Sequence, residues 1–172
     1  TVKPERGYQY AESLGITSLV KDDENAALAL GGLTRGVSNL ELTQAYGVIA
    51  NGGKLQKAKF FSKIIDQNGK VLIDTTEDEA TQVMKESTAY LLTDAMRESM
   101  ESKRAFASDV RVSSTSTRAH FDGMSQAGKS GTTSNNRDIW FVGFTPYYLA
   151  GVWGGCDENQ VLKDAGSGEY NG

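Results

Sequence analysis

The spacing of apolar residues predicts two helices in the first third of the chain. The first begins at Pro4, because proline is favoured in the first turn of a helix, and it stops at Gly15. The second begins after Ser38, which forms a capping box with Glu41 three residues later, and it extends to about Ala50. Apolar residues lie on all sides of this second helix, so we expect it to be well buried.

The apolar pattern predicts a third helix in the middle of the chain, from about residue 86 to residue 100. Its apolar residues recur along one side, as expected for a helix that packs on a core: Ala89, Leu92, Met96 and Met100. The chain then turns polar, and residues 113–117, all serine or threonine, predict a mobile loop. His120, the only histidine, follows in the same polar stretch and is interpreted as a solvated residue.

Alternation and turn residues predict two groups of antiparallel strands. Asn68 and Gly69 stand between the apolar runs 60–65 and 71–73, which is a strong signal for a β-hairpin. From Ser125 onward three more strands follow in hairpin order. The middle one, Ile139 to Phe144, is apolar on both faces, so we expect helices to cover it on both sides.

Composition excludes several classes of function. Of 172 residues, 38% are hydrophobic and 23% are charged, which is ordinary for a globular protein. A formal charge of −4 gives no basic footprint and argues against nucleic-acid binding. No metal-ligand cluster is present, and no cofactor is expected. No apolar run is long enough to cross a membrane, and the single Cys156 excludes an internal disulfide.

The first of the three late strands carries the residues with the most specific chemistry. They form the run Lys129-Ser130-Gly131-Thr132-Thr133. Because side chains alternate along a strand, those of residues 130 and 132 share one face. Gly131 leaves a bare stretch on which a substrate backbone can lie and pair with the strand. Such strings of small residues also occur in surface loops, so the surrounding sequence has to decide.

Hydroxyls, a cation and backbone amides on one strand favour a carboxylate-bearing acyl substrate. The hydroxyls of Ser130 and Thr132 can hold an anionic end group, while Lys129 supplies positive potential. A backbone N–H on the same strand can face the oxyanion that develops when a carbonyl is attacked. Acyl transfer is therefore the reaction class that these residue types indicate.

Two blocks of the sequence resemble the penicillin-binding transpeptidases. Residues 129–133, with the following strands 138–146 and 149–153, are similar to the third conserved box of that family and the two strands after it. Residues 29–53 are similar to the bimodular class A members. The resemblance extends from about Tyr8 to Gly155. Ser130 replaces the usual threonine of the box, which keeps the hydroxyl.

The resemblance implies an incomplete penicillin-binding protein or serine β-lactamase-like transpeptidase fold. This is an α/β (α+β) fold with helices packed on a mainly antiparallel sheet. Residues 1–172 would form the C-terminal portion of the domain, with the first two boxes and a final helix outside the chain. Two strings imitate those boxes, one beginning at Ser18 and ending at Lys21, the other formed by Ser134, Asn135 and Asn136. We interpret both as chance matches.

The implied activity is that of a serine D,D-transpeptidase that cross-links peptidoglycan stem peptides ending in D-Ala-D-Ala. Its nucleophile would lie upstream, and β-lactam antibiotics would mimic the acyl donor. Lys129 and Thr132 would serve catalysis, the latter through its N–H, and four further residues would contact the substrate: Ser130, Gly131, Thr133 and Ser134. Class A resemblance further implies an upstream glycosyltransferase module and a membrane anchor, hence a place on the extracytoplasmic face of the bacterial membrane.

Two alternatives stay open from the sequence. One is a hydrolase of the D,D-carboxypeptidase or β-lactamase type, which shares the third box but is disfavoured by the block from Gly31 to Gly36. The other is a non-catalytic penicillin-fold module that only binds a peptide or a partner. On every reading, the chain needs the remainder of its transpeptidase domain and is predicted to be inactive alone.

Overall fold

A computed structural model describes residues 2–77, 79–101, 105–107, 110–112, 114–158 and 160–162. The chain divides into two compact units, residues 1–85 and 86–172. Helices and antiparallel strand pairs make up both units, which confirms the predicted fold class.

The first unit contains two α-helices and two small antiparallel sheets. Helix α1 (Pro4–Ser13) and helix α2 (Asn39–Ala50) are joined by a segment with two short 3₁₀ helices, Lys21–Asp23 and Ala26–Leu30. Strand β1 (Lys54–Leu55) pairs with β4 (Thr81–Gln82), and β2 (Lys63–Ile65) pairs with β3 (Val71–Asp74). The β2–β3 hairpin leaves its apolar side chains exposed, among them Ile65, Leu72 and Ile73.

Local signals in the sequence set the ends of these elements. Gly15 follows α1 in the left-handed region at φ 92°, and the Ser38 hydroxyl accepts the N–H of Glu41, which confirms the capping box at the start of α2. Gly69 turns the β2–β3 hairpin at φ 82°. One expectation was wrong: only Ala45 and Val48 of α2 are buried, because two-stranded sheets cannot cover this helix on all sides.

The second unit is a three-stranded antiparallel sheet with a long helix. Helix α3 (Glu86–Glu101) is followed by the strand pair β5 (Ala105–Ala107) and β6 (Val110–Val112) and by a short 3₁₀ helix, Thr117–Ala119. Strands β7 (Ala127–Thr132), β8 (Asp138–Phe144) and β9 (Leu149–Gly155) pair in that order. The pairing runs without a bulge, so faces alternate regularly along each strand.

Helix α3 packs on β7 and closes the core of this unit. The buried apolar residues lie on α3, β7 and β8: Ala89, Met100, Ala127, Val142 and Phe144. The Phe141 ring lies over the glycines of two strands, since a Cβ at Gly128 would come within 2.7 Å of that ring. Every residue of β8 is at least partly buried, whereas Val152 on β9 is 61% exposed.

Candidate active site

The six predicted site residues lie together at one end of the three-stranded sheet. Four of them, Lys129 to Thr132, form the C-terminal part of β7, and Thr133 and Ser134 begin the turn into β8. Gly131 has its nearest side-chain neighbour in the β-carbon of Trp140 on β8, 3.4 Å from where a Cβ would stand. Because Gly131 has no side chain, it adds no bulk above this stretch of the strand.

Strand β7 is an edge strand among the described residues, because it pairs with β8 alone. The N–H of Thr133 donates to the carbonyl of Asp138, so residue 133 directs its backbone toward β8. Backbone groups of successive residues point to opposite sides of an antiparallel strand. Those of Ser130 and Thr132 are therefore directed to the open edge of β7.

Two side chains mark this open edge independently. Ser99 Oγ on α3 lies 3.2 Å from the carbonyl oxygen of Gly128, as expected if the backbone groups of the even-numbered residues face away from β8. The ammonium of Lys129 donates to the carbonyl of Ser130 at 2.6 Å. A positive charge is thereby held next to the backbone groups that a substrate strand would meet.

Thr115, which the sequence did not single out as a site residue, adds a further hydroxyl at this edge. Thr115 Oγ1 lies 2.5 Å from Ser130 Oγ. Its neighbour Ser114 donates its hydroxyl to the carbonyl of Ser99, and Ser116 is only 3% exposed. The segment predicted as a mobile loop therefore makes specific contacts with α3 and β7, while Ser113 lies outside the described residues.

A second polar group closes the far end of β7. Thr133 Oγ1 donates to Asp138 Oδ2 at 3.1 Å and accepts the N–H of Asp138 at 2.8 Å, and Asn136 donates its N–H to the Thr133 carbonyl. Trp153 Nε1 donates to Asp138 Oδ1 at 3.0 Å. We therefore expect Thr133 to shape the turn, and its direct contact with a substrate stays a prediction.

The two strings that imitate the missing boxes lie in settings that do not suit catalysis. Ser18 stands in an irregular segment, and Lys21 points to Glu24, whose hydrogen bond and charge raise the pKa of Lys21 above its usual value. A general base needs the opposite shift. Asn135 and Asn136 are turn residues with φ of 63° and 51°, so Ser134 belongs to the β7–β8 turn.

Other residues singled out in the sequence lie apart from this edge. His120 Nδ1 lies 3.2 Å from Gln126 Nε2, and Cys156 is exposed just after β9. Within the described ranges, no group of three histidine, cysteine, aspartate or glutamate side chains could hold a metal ion. No helix in the part of the chain that the structure describes is long and apolar enough to cross a bilayer.

The block resembling class A members lies in the first unit, where two carboxylates hold it. Asp23, which is 1% exposed, accepts the N–H and hydroxyl of Thr34 at 2.7 and 2.6 Å and the N–H of Val20 at 2.9 Å. The Thr34 hydroxyl, with these two amides, holds the pKa of Asp23 below its usual value. An irregular segment is thus fixed through its backbone donors.

Glu41 has the same role at the start of α2. Its carboxylate accepts the N–H and hydroxyl of Thr17 at 2.8 and 2.7 Å, the N–H of Ser18 at 3.0 Å and the N–H and hydroxyl of Ser38. Partial burial raises the pKa of Glu41, but the hydrogen bonds from Thr17 and Ser38 outweigh it and lower that pKa to about 2.

Comparison with known proteins places the chain in a family. The family model of the penicillin binding protein transpeptidase domain matches residues 9–153, which cover most of both units and all of β7. The chain belongs to the penicillin-binding protein transpeptidase family. This confirms the resemblance inferred from the two sequence blocks.

The curated relatives are much longer than this penicillin-binding transpeptidase chain. Penicillin-binding protein 1A of Clostridium botulinum is 36% identical over 155 residues, which is 90% of this chain and 17% of the relative. Penicillin-binding protein 4 of Bacillus subtilis is 34% identical over 153 residues, or 89% of this chain and 23% of the relative. The chain thus spans less than a quarter of either relative.

Solved structures of the family share the fold. The penicillin-binding protein PonA1 from Mycobacterium tuberculosis, solved in complex with penicillin V, is 25% identical with a TM-score of 0.70 over 88% of this chain and 41% of its own. Penicillin-binding protein 1A from Haemophilus influenzae has a TM-score of 0.72 at 21% identity, over 94% of this chain and 28% of its own, and supports the fold alone.

Proposed function

We propose that this chain supplies the substrate-binding strand of a serine-type D,D-transpeptidase that cross-links peptidoglycan stem peptides. The observation that carries the proposal is the open edge of β7, to which Ser130 and Thr132 direct their backbone groups. The Lys129 ammonium lies at the same edge, 2.6 Å from the Ser130 carbonyl. This is an arrangement for an extended anionic peptide, and it lies in a chain of the penicillin-binding family.

A stem peptide would bind by adding a strand to this edge. Its backbone would pair with Ser130 and Thr132, and its terminal carboxylate would meet their hydroxyls, which share one face of β7. Gly131 leaves room for the close approach. The Lys129 ammonium, now on the Ser130 carbonyl, would move toward the incoming carboxylate and balance its charge.

The reaction would proceed through an acyl-enzyme. A serine outside residues 1–172 attacks the carbonyl before the terminal D-alanine. The carbon–nitrogen bond breaks, and D-alanine leaves with the proton of the serine hydroxyl on its nitrogen. An amine of a second stem then attacks the acyl-enzyme, the ester bond to the serine breaks, and a proton of the amine returns to the serine oxygen. In this scheme the N–H of Thr132 faces the oxyanion formed in both steps.

The protein that carries this chain would contain the rest of the transpeptidase domain. Residues 1–172 would form the C-terminal portion of one transpeptidase domain, completed by the remainder of that domain. From the resemblance of residues 29–53 to class A members, the protein would also carry a glycosyltransferase module and act at the extracytoplasmic face of the membrane. β-Lactams would acylate the same serine; the structural neighbour PonA1 has been solved in complex with penicillin V.

Covalent labelling tests this function. The polypeptide that carries residues 1–172 is treated with a fluorescent penicillin, and the labelled peptide is identified by mass spectrometry. We expect the label on a serine outside this chain, and competition by a peptide ending in D-Ala-D-Ala. Label on Ser18, Ser130 or Ser134 would contradict the placement of the nucleophile outside residues 1–172.

The fate of the acyl group separates transfer from the alternatives. With a D-Ala-D-Ala donor and an amine acceptor, we expect release of D-alanine together with a cross-linked product. Release of D-alanine without that product, at any acceptor concentration, would instead indicate a D,D-carboxypeptidase. Binding of the donor without release of D-alanine would indicate a non-catalytic module.

A further inference from the structure

The hydroxyl of Thr115 is paired with a residue of the predicted box, although it lies on a different segment of the chain. Thr115 Oγ1 and Ser130 Oγ are 2.5 Å apart, which is a short distance between two hydroxyl groups. Thr115 itself is exposed, and Ser130 is half-buried. The contact therefore lies at the surface of the site, where a substrate can reach Ser130.

The segment that carries Thr115 is fixed on both sides of it. Ser114 donates its hydroxyl to the carbonyl of Ser99, and the N–H of Ser116 donates to the Ser114 hydroxyl at 3.3 Å. Ser99 Oγ in turn lies 2.8 Å from the carbonyl oxygen of Met96 and 3.2 Å from that of Gly128 on β7. Helix α3, the segment 114–116 and β7 thus form a closed set of contacts that holds Thr115 against Ser130.

When a carboxylate binds to Ser130, only one of the two hydroxyls can donate the hydrogen bond between them. Each hydroxyl has one proton to donate and two lone pairs that can accept. A carboxylate only accepts, so Ser130 must give it its single proton. The proton between the two hydroxyls then has to come from Thr115, which leaves the Ser130 proton free for the substrate.

We propose that Thr115 is a positioning residue that sets the Ser130 hydroxyl as a donor to the carboxylate of the substrate. The inference rests on the proposed function of β7 and specifies how one of its groups is oriented. Thr115 acts through Ser130, so its removal weakens recognition of the carboxylate and leaves the reacting carbonyl untouched. Lys129, Gly131 and Thr132 keep their positions when Thr115 is changed.

The test compares acylation rates of variants of the polypeptide that carries this chain. Thr115→Val removes the hydroxyl at nearly constant volume, Thr115→Ser keeps it, and Thr88→Val changes an exposed threonine of α3 as a control. The probes are benzylpenicillin and its methyl ester, which lacks the charged carboxylate. Each rate is measured at several concentrations to separate binding from the acylation step.

We expect Thr115→Val to slow acylation by benzylpenicillin about 2- to 10-fold, the effect of one neutral hydrogen bond, and to act on binding rather than on the maximal rate. The ester should react with Thr115→Val as with the wild type. Thr115→Ser should restore the rate, and Thr88→Val should match the wild type. In a Ser130→Ala background, Thr115→Val should have no further effect.

Other outcomes overturn the inference in distinguishable ways. If the wild type is acylated and Thr115→Val reacts equally fast, Thr115 has no part in recognition. If Thr115→Val slows the reaction to the same extent in the Ser130→Ala background, Thr115 acts without Ser130. If even the wild type is not acylated, the proposed function fails and this inference fails with it.

Discussion

The two units of this chain are ordered by different forces. In the first, the irregular segments around α2 are held by buried or half-buried carboxylates, Asp23 and Glu41, that accept backbone and hydroxyl protons. In the second, a continuous antiparallel sheet buries Ala127, Val142 and Phe144 and places the candidate site by strand pairing. The first unit should therefore lose stability in acid, whereas in the second unit added side-chain volume should be costly where α3 packs on the sheet.

The largest effect is expected in the first unit, at a backbone contact. Gly53 has φ +86°, and a Cβ there would lie 2.2 Å from the carbonyl oxygen of Met84. Gly53→Ala should reduce the local free energy of unfolding by about 2–4 kcal/mol, because strain and a clash add. Hydrogen exchange of the amides of α2 and β4 measures it.

Gly69→Ala is the matched control for this change. Gly69 has a similar φ of +82° in the hairpin turn, but nothing lies within 4 Å of a Cβ there. We expect a cost of about 1 kcal/mol from the left-handed backbone alone. Equal costs for Gly53→Ala and Gly69→Ala would show that the contact with Met84 contributes nothing.

In the second unit, Gly128→Ala should reduce stability more than Gly154→Ala. An added Cβ would lie 2.7 Å from the Phe141 ring and 2.9 Å from Met100 Sδ, so both side chains would have to move. We expect a loss of about 1–3 kcal/mol, the usual cost of overpacking, confined to amides of α3 and β7–β9. Gly154→Ala, with open space around it, should leave exchange unchanged.

Acid should loosen the first unit through Glu41. Its folded pKa of about 2 lies below the unfolded value of 4.5, so its contribution is complete above pH 4.5 and is lost as the pH falls toward 2. Asp23 and Asp74 of the same unit also have lowered pKa values, from Thr34 and the Val20 amide in one case and from Lys63 and Thr76 in the other.

Denaturant titrations followed by NMR signals of each unit, at pH 6 and pH 2, check this difference. Glu41→Gln should cost about 1–2 kcal/mol at pH 6, since an amide oxygen replaces part of the carboxylate's acceptor capacity. The variant should also lose part of the pH dependence of the first unit. A wild-type first unit that is equally stable at both pH values would contradict the role given to these carboxylates.

The smallest effect is expected at the far end of β7. Trp153→Phe removes the indole N–H that donates to Asp138 at 3.0 Å, while most of the ring remains. We expect a loss of about 0.5–1.5 kcal/mol, measured by exchange of the amides of residues 133 and 138. An unchanged exchange rate there would show that the Thr133–Asp138 pair holds the turn without Trp153.

Elements with local signals could be predicted from the sequence. Proline and glycine bounded α1, the Ser38–Glu41 pair marked the start of α2, and Asn68-Gly69 gave the β2–β3 hairpin. The order of β7, β8 and β9 was also predicted, because each strand is separated from the next by a short turn. These features depend on residues close together in the chain.

Features that depend on distant residues could not be predicted. Lys54 of β1 pairs with Gln82 of β4, Asp23 binds Thr34 across eleven positions, and Thr115 meets Ser130 across fifteen. A serine- and threonine-rich segment has the composition of a mobile loop whether or not its hydroxyls find partners. The prediction that α2 is well buried failed for the same reason, because the burial of this helix depends on the sheets that lie beside it.

The most direct test of the account is the rate at which benzylpenicillin acylates variants of the strand β7. Lys129→Ala and Thr132→Val, made in the polypeptide that carries this chain, should each slow acylation by about 10- to 1000-fold, the range for loss of an electrostatic or oxyanion-site contact. Thr132→Val keeps its backbone N–H and should be milder toward the methyl ester. Wild-type rates in both variants, at unchanged melting temperature, would contradict the placement of the active site on β7.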